Sequence, residues 1–155
     1  MEEKAKSIIT ANLYMTIASA DELGKPWSSP VFFACDDNYN LYWVSYTEAT
    51  HSKNIRSRKE VGIVIFDSTA EEGEGDGVYF DAEAFEVADL DEIKHGTDYL
   101  GQKVQLDEYR VKSTDEVTGS APWRIYVARP KKISTLSGTT VNGQYVDRRV
   151  EVNLT

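Results

Sequence analysis

The chain has 155 residues, 41% of them apolar and 28% charged, which suits one soluble globular domain over residues 1–155 and excludes a disordered or fibrous chain. Its 26 acidic against 17 basic residues give a formal net charge of −9, which argues against a general nucleic-acid partner. No apolar run approaches the ~20 residues of a membrane helix. The charged start "MEEKAKSIITANLYM" has no signal-peptide apolar segment, so a cytoplasmic protein with no membrane partner is expected. Cys35 is the only cysteine, which rules out an intrachain disulfide, and two histidines, His51 and His95, do not suggest a metal site.

In chain order, residues 3–10 predict a short helix anchored by Ile8 and Ile9, followed by the β-rich "LYMTIASA" and the turn signal "DELGKP". "WSSPVFFAC" predicts a second strand and "LYWVSY" a third, joined by the polar "DDNYN", so an antiparallel meander is expected. Ser45 and Glu48 have capping-box spacing ahead of the stretch "THSKNIRSRKE" and predict a helix there, with Ile55 as its core anchor. The continuous apolar run in "VGIVIFDS" predicts a strand buried on both faces.

"TAEEGEGDG" has the glycines of a nucleotide loop but leads into the strand pattern "VYFDAEAFEV" instead of a helix, so it reads as a loop between strands. Leu90, Ile93, Thr97 and Leu100 fall at helical spacing within a helix predicted over 90–112. "WRIYVARPKKISTL" is a long strand, and Asn142-Gly143 marks a hairpin into the alternating "YVDRRVEVNL", a half-buried final strand. Many strands, few short helices and no βαβ alternation predict an antiparallel barrel decorated by helices.

The basic stretch is the feature that raises a functional question. An acidic chain gathers Lys53, Arg56, Arg58 and Lys59 within residues 53–59. Either they solvate a helix face, or Lys53 and nearby hydroxyls such as Ser45 and Ser52 form an anion cradle at the helix start. His95 reads as a surface helix residue and Cys35 as a small buried apolar group. No Ser-His-Asp constellation can be picked out.

The segment "KPWSSPVFFACDDNYNLYWVSYTEATHSKNIRSRKEVGIVIFDS" resembles the pyridoxamine 5'-phosphate oxidase-like family of split β-barrels that bind flavin mononucleotide (FMN). Its G-x-P before a strand, "LYW-x-S" strand, "HSKNI" helix start and "V-x-I-x-I-x-DS" strand recur in the family's order. The resemblance implies a mainly β protein, an antiparallel split barrel of the FMN-binding type that works as a homodimer. It places Lys53 at the flavin phosphate, with Ser52 where many members have an arginine and His51 or Arg56 as substitutes. Ser45 matches a hydroxyl near the cofactor, preceded by Trp43 and Val44. Ser29, Pro30 and Val31 match the strand along the flavin ring, and Tyr126 an aromatic supplied by the second subunit.

A flavin-dependent oxidoreductase acting on a small-molecule substrate or electron donor is therefore expected, with no catalytic residue assigned. Two alternatives stay open: a haem or deazaflavin protein, with His51 or His95 as the haem's axial ligand, and a non-enzymatic flavin-binding module. "RPKKIS" puts Lys132 and Ser134 where true pyridoxamine phosphate oxidases resemble one another in an arginine and a histidine. The expected substrate is therefore not theirs.

Overall fold

Strand alternation sorts the side chains of this chain into two cores. A computed structural model describes residues 1–154, and its eight strands form one antiparallel sheet with three α-helices around it. The first helix, α1 (Glu2–Ala11), buries Ala5 and Ile9 and leads into β1 (Tyr14–Ala20). Then come β2 (Pro26–Phe32), β3 (Ala34–Cys35) and β4 (Leu41–Tyr46). Helix α2 (Thr50–Ser57) connects to β5 (Glu60–Phe66) and β6 (Gly77–Glu86). Helix α3 (Leu90–Lys103) is followed by two 3-10 turns, the 19-residue β7 (Trp123–Val141) and β8 (Gln144–Glu151).

The strands hydrogen-bond in the order β2-β1-β5-β6-β7-β4-β3, with β8 added to β7. The two ends of that order, β2 and β3, are separated only by Phe33, so one nearly continuous segment pairs with β1 and then with β4 and closes the barrel. Met15, Ile17, Val31, Phe33, Trp43 and Phe80 fill its interior. On the back of β4 and β7, Tyr42, Ile125 and Val127 pack against Ile93 and Leu100 of α3 in a second, smaller core. No described helix is long and apolar enough to cross a membrane.

Several details differ from the sequence expectations. The apolar run of β5 is buried on one face only: Val61, Ile63 and Ile65 point inward, while Gly62 and Phe66 are exposed. The strands buried on both faces are β4 and the first half of β7, because α3 covers their backs. Helix α3 stops at Lys103, short of residue 112, and Leu90 is exposed rather than part of its buried stripe. The hairpin turn forms at Asn142-Gly143 with both residues at positive φ, 50° and 79°. Most of β8 is exposed, yet Val152 and Leu154, just beyond it, pack into the barrel core.

One contact fixes α3 on the sheet. A Cβ added at Gly96 would stand 2.6 Å from the Tyr42 ring, so glycine lets helix and strand approach. The Tyr42 hydroxyl is held by Glu92 at 3.4 Å, and burial pushes its phenol up to about 12. Alanine inside a helix is normally favoured over glycine by up to ~1 kcal/mol. Here Gly96→Ala is expected to cost roughly 1–3 kcal/mol through overpacking. Urea unfolding of both proteins measures this, and an equal or raised midpoint would show that the ring yields freely.

Candidate functional site

Helix α2 lies across one end of the barrel, and its inward face is polar where a barrel plug would ordinarily be apolar. Ile55 is its single apolar anchor, at 4% exposure; Ser52 and Asn54 are buried beside it. Each of these polar groups meets the barrel. Ser52 Oγ donates to the Tyr46 carbonyl at 2.8 Å, and Asn54 Nδ2 donates to Ser19 Oγ of β1 at 3.1 Å.

His51 sits between two strands. Its Nε2 lies 2.7 Å from Ser45 Oγ on β4, and its Nδ1 lies 3.1 Å from Ser29 Oγ on β2. Ser29 also accepts the indole N–H of Trp27 at 3.0 Å. A neutral imidazole offers one donor and one acceptor. The assignment that uses every group once has Ser29 donating to Nδ1, and Nε2–H donating to Ser45. Burial, with no carboxylate contributing, lowers the His51 imidazole below its ordinary value. The ring is thus held neutral and fully hydrogen-bonded.

The outer face of the same helix is charged. Its N-cap is Ala49, with no side-chain cap bond, so the capping box expected from Ser45 and Glu48 does not form. Ser45 lies in β4, where its hydroxyl serves His51, and Glu48 turns outward to the cations. Lys53, more than half exposed, pairs with Glu48 at 3.3 Å. Arg56 pairs with Glu48 at 3.6 Å and with Glu86 at 3.7 Å, and Glu86 also holds Arg124 at 3.3 Å. Three cations against two carboxylates leave this cluster one positive charge in excess, on a chain that is strongly acidic overall. Arg58 is the extended C-cap residue and donates to the Glu22 carbonyl, while Lys59 pairs with Glu83 across the barrel end.

Of the residues singled out in the sequence, Ser29, Ser45, His51 and Ser52 converge beneath α2, and Lys53 stands on its outer face. Pro30 and Val44 point to the outside of the sheet and Val31 into the core. Trp43 and Tyr126 are fully buried and stack at 5.6 Å and 19°, walls of the same barrel. Tyr126 donates to Glu86 at 3.3 Å, and its ring is buried within its own chain. The Trp43 indole N–H is buried without a hydrogen-bond partner. Sequence reasoning missed Trp27, Asn54, Glu86 and Arg124. Only Trp27, two residues before Ser29 on the same strand face, carries a signal in the sequence.

His95 is not a bystander on α3. Its Nε2 lies 3.1 Å from a buried Asp36 carboxylate, and its ring packs against Tyr42 and Tyr99. Asp36 also accepts N–H bonds from Asn38 and Asn40, which hold the tight turn where Tyr39 adopts a φ of 62°. Cys35 is half-buried, and its thiol is pushed up to about 12 mainly by burial, an inert group.

The family model for pyridoxamine 5'-phosphate oxidase matches residues 1–136. No curated protein matches the chain. Several solved structures share its fold. A heme binding protein from Mycobacterium smegmatis superposes with TM-score 0.70 at 17% identity, covering 96% of this chain and 57% of that one. This chain therefore spans little more than half the mycobacterial protein's length. A heme storage protein from Vibrio cholerae gives 0.67 at 17% identity over 85% and 92%. A FAD-binding protein from Mesorhizobium loti gives 0.63 at 20% identity over 86% and 91%.

Because the folded imidazole of His51 resists protonation, the unfolded chain binds more protons below the ordinary histidine value of 6.5. The stability that His51 contributes is present above that pH and is lost as the solution is acidified through the lowered folded value. His51→Gln is therefore expected to cost most near pH 8, with the difference from wild type shrinking towards pH 5. Urea unfolding at several pH values reads this difference. A difference that stays constant with pH would contradict a neutral, buried ring.

Proposed function

The chain belongs to the pyridoxamine 5'-phosphate oxidase family, and from that premise we propose that it binds FMN as a homodimer and acts as a flavin-dependent oxidoreductase on a small molecule. The observation that carries this reading is the start of α2. With Ala49 as N-cap and no side chain capping it, the first-turn N–H groups keep their capacity for an anion, and Lys53 stands beside them. The excess positive charge of the Lys53, Arg56 and Arg124 cluster favours a phosphate there. The competing partner, Glu48, is exposed, and an exposed pair of this kind holds its lysine only weakly.

The donor set fits a phosphate better than it fits a haem iron. Both ring nitrogens of His51 are occupied by serines, and Nε2 of His95 by Asp36, so ligation would break an existing network. The flavin would supply hydride or electron transfer. This chain's part is to anchor the phosphate through Lys53 and to hold β2 and β4 in register behind the ring, through the Ser29–His51–Ser45 bridge. Tyr46 and Trp123, both half-exposed, pack edge-to-face at 5.9 Å beside the helix start, an aromatic surface suited to cover by a second copy.

Lys53→Ala is expected to weaken FMN binding roughly tenfold to more than a hundredfold, for loss of a charged hydrogen bond worth ~1.5–3 kcal/mol. Riboflavin, which has no phosphate, should bind both proteins alike. Flavin fluorescence titration checks both ligands, with Lys59→Ala as control because Lys59 pairs with Glu83 away from the helix start. Equal weakening of FMN and riboflavin, or unchanged FMN binding, would sink the phosphate assignment. Light scattering should give a dimer mass with FMN present.

Oxidation of pyridoxamine phosphate is not expected at enzymatic rates of ~1 per second. Lys132 is paired with Glu151 at 3.7 Å and Ser134 is buried, so neither offers the oxidases' bidentate grip. Steady formation of pyridoxal phosphate at such rates would overturn this.

A further inference from the structure

On the opposite side of the sheet from the barrel interior, the end of α3 and the 3-10 turn Asp107–Tyr109 enclose a cavity of about 360 Å³ against β4. Phe32, Val44, Leu100, Val104 and Leu106 give it apolar walls. That volume lies within the ~300–1,000 Å³ of small-molecule sites, which combine apolar walls with a few polar groups.

Two cations also line it, and they differ in how far they are satisfied. Arg110 is saturated: its guanidinium donates to the Gly101 and Val104 carbonyls and reaches Asp107 at 3.6 Å, tying the turn back onto α3. Lys103 is not. Its ammonium donates to the Asn12 carbonyl and lies 3.8 Å from the Phe33 ring centroid, and among the described residues no carboxylate pairs with it. Lys53, Lys59, Arg124 and Arg129 each meet a carboxylate, in a chain with acid to spare. Burial depresses the Lys103 amine to about 8, opposed only by the nearby Cys35 thiol. A half-buried cation at an apolar cavity is costly unless a counter-ion completes it.

We propose that this cavity binds a small carboxylic acid with an apolar body, its carboxylate acting as the counter-ion of Lys103. The apolar chain lies against Phe32, Val44 and Leu100, with the acid group at the Lys103 end of the cavity, where it competes with the Phe33 ring for the ammonium. Val44 and Phe32 put this site on the outer face of the strands that carry Ser45 and Ser29 on their inner face. The assignment holds whichever cofactor the barrel takes.

Calorimetric titration of the full chain with octanoate and octan-1-ol tests it. One octanoate should bind per chain, at least ~tenfold more tightly than the alcohol, since a hydrogen bond to a charged group is worth that much. Lys103→Met, which keeps the apolar stem, should weaken octanoate by a similar factor and leave octan-1-ol unchanged. Leu100→Trp should weaken both by filling the cavity. Absence of saturable octanoate binding, equal affinity for acid and alcohol, or full retention in Lys103→Met would each overturn the proposal. Should the methionine variant not fold, the wild-type preference for acid over alcohol still decides.

Discussion

The architecture turns on one strand that changes partners. Along one edge, β7 pairs with β4 from Trp123 to Ala128 and with β8 from Ser134 to Val141. Along its other edge it pairs with β6 from Tyr126 to Thr135, with a register shift at Asp81/Ala82 that leaves Lys131 unpaired as a bulge. Pro130 lies at this break. A proline in the middle of a ladder would leave a carbonyl without its donor. Here it falls in the interval where β4 has ended and β8 has not begun, so the missing N–H costs little. Bulges increase local twist. This one lets a single strand serve first as a barrel wall and then as the base of a protruding hairpin.

That break also determines what each part of β7 faces. Before it, Tyr126 and Ala128 point into the barrel while Ile125 and Val127 face α3, so both sides are dry. Beyond it, the hairpin carries exposed Val141, Tyr145 and Val146. Closure by the β2–β3 segment completes the barrel but leaves its end to be covered by α2. The polar layer there, His51, Ser52 and Asn54 against Ser19, Ser29 and Ser45, is satisfied group by group. Buried polar groups that are fully hydrogen-bonded specify position more sharply than an apolar interface does, since a shifted helix would strand several of them at once. The cap is thus held in one register, and its outer residues, Lys53 above all, are presented in a fixed place.

Charge is distributed with the same economy. An acidic chain places its carboxylates where they neutralise the cations of α2 and β7: Glu48 and Glu86 around Arg56, Glu83 between Lys59 and Lys131, Glu92 on Arg129. Most of these pairs are exposed and contribute little to stability. Their effect is to neutralise these cations locally, whereas Lys103, at the end of α3, has no carboxylate partner among the described residues.

Much of this was legible in the sequence. Alternation and turn residues located most of the strands, Asn142-Gly143 located the hairpin, and the cations around Lys53 stood out against the net charge. The ordered motifs from "LYWVSY" to "VGIVIFDS" identified a split barrel. What only the tertiary structure decided was which strands lose both faces to solvent. Periodicity reports the intrinsic pattern of one strand, whereas the second face depends on what packs behind it, and α3 lies behind β4 and β7 rather than behind the more apolar β5. It also decided that Ser45 serves His51 instead of capping α2, and that Tyr126 is an inner wall. Those outcomes rest on hydrogen bonds and stacking between residues far apart in the chain, such as Ser29 with His51 and Trp43 with Tyr126, which local spacing does not encode.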